Sequence, residues 1–483
     1  MKRTKVGLCI LLFLTALGAA GCSGTGGAEQ GGDVVEQKEE ETVKTFADYT
    51  DNELFRKIPA LLPEDGQFGN VEDYGGGTYL LAVNGSTMEE FQAYQTLLEE
   101  EGFTKYVDNG ETGLDGAVYT ATYTKDDLVL TVTHMTKLEK TYLTAAQGLP
   151  LSEHLLYQEA YTAGNQEGAK TSLHMLEMYD NGNSFVIQLK DGHFIVNDGG
   201  LAKDLPYLLD YLESLTSEGE KPVIEAWIIS HAHGDHVGAF NELIKNSDNM
   251  ERIIVEGIYF NEPSSTLCER LDSSVVSQIR YMPMVARNLK TTKGTAPEIY
   301  RVQTGQRYYF NDITMDILHT QEQMVYGSYS GDYNDSSTWC MFTIEGQKFL
   351  HAGDAEFGSV DVVMNTYDKE YFDLDVFAVF HHGINVYDYF TDFCTLKTVL
   401  YTNYRCGSYY GTGTHAHEEE NAHLIAASAE SLAHGDGTKV LTFPYEVGTA
   451  KSLPAREWKY ETEERSFAQP RVKEFETVII NKK

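Results

Sequence analysis

The chain has 483 residues, 42% of them apolar, and a formal net charge of -36. That length exceeds one ordinary hydrophobic core, so two folded units are expected. The acidic surplus repels polyanions at long range, and no basic stripe of the kind duplex nucleic acid requires is present, so a duplex partner is disfavoured.

At the N-terminus, Lys2, Arg3 and Lys5 precede the apolar run VGLCILLFLTALGAA. The run falls short of the roughly 20 residues that a spanning helix needs. Gly21 and Cys22 follow it. Small residues directly before a cysteine read as a lipoprotein signal covering residues 1–21, with cleavage before Cys22 and lipidation of its thiol. An ordinary secretory leader with an incidental cysteine is the competing reading. Two acyl chains suffice for stable anchoring, so the expected partner is a membrane reached through a lipid anchor. The expected location is the outer face of the cell membrane. Cleavage would remove three positive charges and no acid. Residues 22–44 are Gly-rich and then acidic, which reads as a flexible, self-repelling linker.

Residues 45–150 read as a small α+β domain. TYLLAV is a strand, and Ser86 with Glu89 suggests a capping box opening a helix whose apolar face is Phe91, Tyr94, Leu97 and Leu98. AVYTATYT and DLVLTVTH form two further strands. In the second, Leu128, Leu130 and Val132 alternate as in a half-buried strand, and His134 on the same side reads as a packed or rim residue. No catalytic pattern occurs here.

Residues 155–483 form the second unit, with α/β character. SLHMLEMYD, NSFVIQLKD and HFIVND are strand-like, a helical pattern covers 202–217, and VIEAWIIS is a buried strand. Helix and strand patterns keep alternating to the end, which argues for layered sheets flanked by helices. Cys268, Cys340, Cys394 and Cys406 show neither zinc-knuckle spacing nor a disulfide framework, and read as core thiols, although one disulfide is compatible with export.

The buried strand runs directly into SHAHGDHVG, which places His231, His233, Asp235 and His236 within six positions of a chain that has 15 histidines in all. Imidazole and carboxylate are ligands for divalent metals, zinc first, with manganese or iron as alternatives. His231 and His233, two apart at a strand end, point the same way and can grip one ion. Asp235 and His236, where the chain turns into a helix, can serve a second. Further candidates stand at other strand ends: Asp198 in IVNDGG, Asp354 in FLHAGDAE, and His381 and His382 in FAVFHHG.

HxHxDH, preceded by a strand ending in Asp-Gly and followed by distant Gly-Asp and His-Gly pairs, resembles the metallo-β-lactamase fold superfamily over roughly residues 170–450. The stretches LHAGDAE and VFHHG are similar to the branch containing the hydrolase domain of competence-related DNA-uptake proteins and surface phosphorylcholine esterases. The resemblance implies an αββα sandwich and two divalent metal ions. It implies His231 and His233 on the first ion, Asp235 and His236 on the second, and Asp354 bridging both. His382 would be the last ligand, with His381 as its competitor. Asp198 would brace the metal loop from outside the ligand set. The family's third histidine for the first ion has one counterpart in the interval, His319. His351 reads as structural, and His415 and His417 as an exposed loop.

Metal ions of this type make water a nucleophile near neutral pH. Asp235 would orient it, and His382 or a neighbour would assist the leaving group. The expected function is a membrane-anchored hydrolase acting on phosphodiesters of small molecules or cell-envelope esters. The alternatives are a non-catalytic surface lipoprotein retaining the fold, and a hydrolase of lactam, ester or thioester bonds. Neither GxSxG nor HExxH occurs, which disfavours serine hydrolase and zincin chemistry.

Overall fold

The computed structural model describes residues 44–157, 164–261, 263–322, 333–403, 406–407 and 418–456. Cys22, His415 and His417 lie outside the described residues. The described chain from Lys44 onward is one compact unit.

Two sheets, one of nine strands and one of seven, pack face to face. The pattern of single strands shows why. In Val223–Ile229, Ala226 and Ile228 join the core between the sheets, whereas Trp227 and Ile229 join the core beneath the outer helices. In Ser184–Gln188 and Phe194–Asp198, Phe185, Ile187 and Ile195 likewise face inward while Val186 and Val196 face the helices. Both faces are apolar, so these strands can only be the middle of a layered stack. Helices Leu205–Ser214 and Gly234–Leu243 cover the nine-stranded sheet through Leu205, Leu208, Leu212, Val237 and Phe240. Helix Phe357–Thr366 covers the seven-stranded sheet through Val360 and Val363. The result is an αββα sandwich, as the resemblance implied.

The N-terminal segment forms a third sheet, seven-stranded, with helix Met88–Glu100 on one face. The capping box belongs to Thr87 and Glu90, one residue later than expected from the sequence. Ser86 is buried and its hydroxyl lies 2.7 Å from Thr141 Oγ1, so it is committed to the sheet. Leu97 is only partly buried. Strand Leu128–Met135 departs from the half-buried expectation by being buried along its whole length. Its apolar side packs under the helix, and its threonine side docks on the sandwich. There Thr120 and Thr133 hydroxyls donate to the Thr304 carbonyl at 3.0 and 3.3 Å. The adjoining Gly305 has φ +92°, and a Cβ there would meet Thr120 Oγ1 at 2.0 Å, so the close approach requires glycine. Arg301 adds donations to the Tyr74 and Gly75 carbonyls, each 3.1 Å. His134 is packed, stacked on Phe91. Cys268, Cys340, Cys394 and Cys406 are all free thiols.

Buried neutral histidines tie this scaffold together. His174 lies 2.7 Å from both Ser172 Oγ and Tyr211 Oη, and burial pushes it down to about 4. The fold accepts its neutral form, so it contributes stability above the ordinary histidine value that is lost as pH falls toward the folded one. Full protonation costs about 3 kcal/mol. His174→Gln is therefore expected to lose about 1–3 kcal/mol less than wild type between about pH 7 and about pH 4, read by urea unfolding at each pH. Equal losses in both proteins would refute this role.

Candidate metal centre

The site is assembled at the C-terminal ends of strands from both sheets. Asp198 ends Phe194–Asp198, His231 follows Val223–Ile229, Asp354 follows Gln347–His351, and His382 follows Asp373–Ala378. Strand ends are where backbone direction changes and side chains can converge without breaking a ladder.

His231 and His233 stand two apart on extended backbone, on one side of the chain. Helix Gly234–Leu243 then starts, with Asp235 in its first turn, where the helix dipole favours a carboxylate. Gly353 precedes Asp354 with φ +53°, and a Cβ there would lie 2.7 Å from Ser230 Oγ, so glycine lets this turn press against the histidine loop.

Asp354 is the pivot. One carboxylate oxygen, Oδ1, is 2.9 Å from His236 Nε2 and 3.4 Å from His382 Nε2. The other, Oδ2, is 3.7 Å from His231 Nε2 and 3.5 Å from His381 Nε2. Two groups result that could each hold a metal ion: Asp235, His236, Asp354 and His382, and His231, His233 and Asp354. They share Asp354.

The outward nitrogen of each of four imidazoles is engaged. His236 Nδ1 is 2.8 Å from Asp198 Oδ2. His231 Nδ1 is 3.1 Å from Ser230 Oγ, a hydroxyl that itself donates to Asp198. His382 Nδ1 is 2.9 Å from Thr402 Oγ1, and His233 Nε2 is 3.1 Å from Asp272 Oδ2. A carboxylate only accepts, so His233 and His236 carry protons on their outward nitrogens, which leaves their inward nitrogens to a second proton or to a metal ion. His236 Nε2, His382 Nε2 and Asp354 Oδ1 have no hydrogen-bond partner and are almost wholly buried. Lone pairs facing a carboxylate oxygen at 2.9 Å repel unless a proton or a cation lies among them. The donor set, its burial and the outward hydrogen bonds therefore fit divalent ions of the zinc class.

The site's electrostatics point the same way. Burial pulls His382 down, but Asp354 and Asp235 outweigh it and bring it up to about 9. Burial would raise Asp354, yet His236, His381 and His382 hold it well below the usual carboxylate range. Burial, with His236 adding to it, pushes His231 well below its ordinary value.

His319 does not join either group. Its Nε2 is 3.1 Å from the Asp335 carbonyl oxygen and its ring packs edge-on to Trp339, because the strand Ile313–His319 turns it into the wall beside the site. His351 is also apart: it is 3.2 Å from Asn183 Nδ2, and burial holds it at about 4. Of the His381–His382 pair, His382 belongs to the group with Asp235, His236 and Asp354, while His381 lies outside both groups with its Nε2 3.5 Å from the other Asp354 oxygen. Asp272 was not visible in the sequence as a site residue. It follows the short helix Ser265–Leu271 and reads as an ordinary helix end.

Asp272→Asn should weaken zinc binding at the His231–His233 group by about 10–100-fold, because the carboxylate that orients His233 is lost. Asp354→Ala should abolish binding at both groups. Zinc titration against a chromophoric chelator checks both, and unchanged affinity in Asp272→Asn would remove it from the site.

Residues 179–304 match the family model described as Metallo-beta-lactamase superfamily. None of the curated proteins matches the chain. Among solved structures the chain is similar to a HARLDQ-motif mutant of a metallo-beta-lactamase from Cronobacter sakazakii (Enterobacter sakazakii), at 16% identity over 42% of this chain and 74% of that chain, with a TM-score of 0.25. It is also similar to the HARLDQ-motif metallo-beta-lactamase of the same organism, at 16% identity over 42% of this chain and 75% of that one, with a TM-score of 0.24. The match to that family model thus covers residues 179–304, which include Asp198 and the His231–His236 loop.

Proposed function

We propose that this protein is an exported, membrane-anchored, metal-dependent hydrolase that cleaves phosphodiesters. The observation that carries the reading is the sharing of Asp354 by two ligand groups, one on each carboxylate oxygen. Two ions held this way supply electrophilic stabilisation of the attacking and leaving oxygens of an in-line displacement. His231, His233 and Asp354 would hold one, and Asp235, His236, Asp354 and His382 the other.

The remaining chemistry falls to side chains. Asp235 is oriented by Asn181, whose amide donates to Oδ2 at 2.7 Å. It is partly exposed and takes the proton of the attacking water. His382 Nδ1 meets Thr402 and its Nε2 would be taken by the metal ion, so help to the leaving oxygen passes to the more exposed His381. Water adds to phosphorus, the ester P–O bond breaks, and the departing oxygen takes up a proton. The products are a phosphomonoester and an alcohol.

The similarity of LHAGDAE and VFHHG to the phosphodiester-cleaving branch supports phosphorus over a lactam carbonyl. The net charge of -36 disfavours long polyanions and leaves small or zwitterionic esters, such as phosphocholine esters, as the preferred class. The metal-loaded protein should turn over bis-nitrophenyl phosphate or a phosphocholine ester. Asp235→Ala should lower turnover by about 100-fold or more. Duplex DNA should be cut slowly and β-lactams not at all. Rapid β-lactam or thioester hydrolysis without phosphodiester turnover would overturn the reading.

Anchoring rests on Cys22, preceded by small residues and followed by the Gly-rich acidic segment. Cys22→Ala should release the protein from the membrane fraction or leave the precursor uncleaved. Wild-type processing and membrane retention in that variant would rule out the lipid anchor.

A further inference from the structure

A second cluster of ligand-type side chains lies at the opposite end of the same strands. His193 directly precedes Phe194–Asp198, and Glu225 is the third residue of Val223–Ile229. The five residues from His193 to Asp198 put this cluster about 17 Å from the metal centre along the strand. Asp191, His193 and Glu225 offer ligand atoms that all lie within 4.8 Å of one another.

Three features set this cluster apart from an ordinary surface ion pair. The parallel pairing of the two strands slips between Phe194 and Ile195: Phe194 pairs with Ile224 and Ile195 with Ala226, so Glu225 has no partner on its neighbour. A bulge of this kind re-aims a side chain, here towards His193. His193 Nδ1 hydrogen-bonds Glu225 Oε1 and lies 3.9 Å from Asp191 Oδ2. Finally, His154 comes in from the short turn Glu153–Leu155 that joins the N-terminal sheet to the sandwich. Its Nδ1 is 2.8 Å from the Tyr309 carbonyl oxygen, which can only accept, so its Nε2 presents a lone pair to Glu225 Oε2 at 3.7 Å. An imidazole that gives one nitrogen to a backbone carbonyl and turns the other towards a carboxylate has the arrangement of a metal-binding histidine.

Burial keeps His154 below its ordinary value. Glu153 and Glu256 add negative potential at His154, and Glu256 also at His193. Asp191 is held in place by Asn311, whose amide donates to Oδ2 at 3.1 Å, and by the His193 backbone N–H at 3.0 Å.

We propose that Asp191, His193 and Glu225, with His154 closing the opposite side, form an additional divalent cation site of the zinc class. Mixed imidazole and carboxylate donors select that class over calcium or magnesium. An ion there would tie the connecting turn to the bulged strand, and so fix the N-terminal sheet against the sandwich at the end remote from the metal centre. Binding would release the His193 Nδ1 proton.

The test is zinc titration of the metal-stripped full chain against a chromophoric chelator, with Tm followed in parallel. Wild type should bind about one equivalent more than Glu225→Gln or His193→Lys, and zinc should raise its Tm by about 2 °C more than theirs. In His193→Lys the ammonium can stand in for the cation beside Glu225. Its metal-free Tm should therefore match or exceed that of wild type, which separates loss of the site from loss of the fold. Phosphodiester turnover at saturating zinc should be unchanged in both variants. Equal zinc stoichiometry in wild type and both variants would reduce the cluster to a histidine–glutamate ion pair and overturn the proposal.

Discussion

The structure is organised around a single electrostatic constraint, the burial of Asp354 among imidazoles whose lone pairs point towards it. Nothing about this arrangement is stable by packing alone. A carboxylate oxygen 2.9 Å from a ring nitrogen, both shielded from water, needs positive charge between them, a proton or a metal ion. The surrounding residues hold the imidazoles in place at a distance. Asp198 reaches His236 directly and His231 through the Ser230 hydroxyl, while Asp272 reaches His233 and Thr402 reaches His382. Asp198 itself sits at φ +60°, a left-handed backbone for a non-glycine residue, which its bonds to the Ser230 backbone and hydroxyl maintain.

This constraint explains why the scaffold has two sheets. The first sheet supplies the histidine loop and Asp198. The second supplies Asp354, His381, His382 and Thr402. The ligand set is complete only when the two sheets meet in register, so the apolar core between them positions the chemistry as much as it stabilises the fold. The N-terminal sheet contributes no residue to either ligand group. It nevertheless docks on the sandwich, through apolar residues such as Leu80, Val118 and Met135 that share a core with Leu318 and Trp339, and through Thr120 and Thr133, which donate to the Thr304 carbonyl. Threonine hydroxyls buried against a backbone carbonyl are satisfied and specific in position, which suits a layer that must sit in one place.

Much of this was already readable in the amino-acid sequence. The strands bracketing the site are short apolar runs with distinctive ends, and HxHxDH, Gly-Asp and His-His-Gly each mark the place where such a run stops. Local patterning also pointed to layered sheets flanked by helices, and the resemblance implied their αββα order. Tertiary structure decided what local pattern cannot encode. His319 satisfies the spacing expected of a ligand but is turned into the wall by its strand, and no feature of MDILHTQ reveals that rotation. Asp272 carries no motif, since its role arises only from the approach of a helix end to His233. His381 and His382 look like competitors in sequence, yet the left-handed backbone at both, with φ of 47° and 59°, splays them onto opposite oxygens of one carboxylate. The same holds for Thr131 and Thr133, on the other side of a strand expected to be half-buried, which are buried because that face docks on the sandwich. Sequence periodicity records which face of an element is apolar, but a polar face becomes buried only when a partner elsewhere in the chain satisfies its hydrogen bonds.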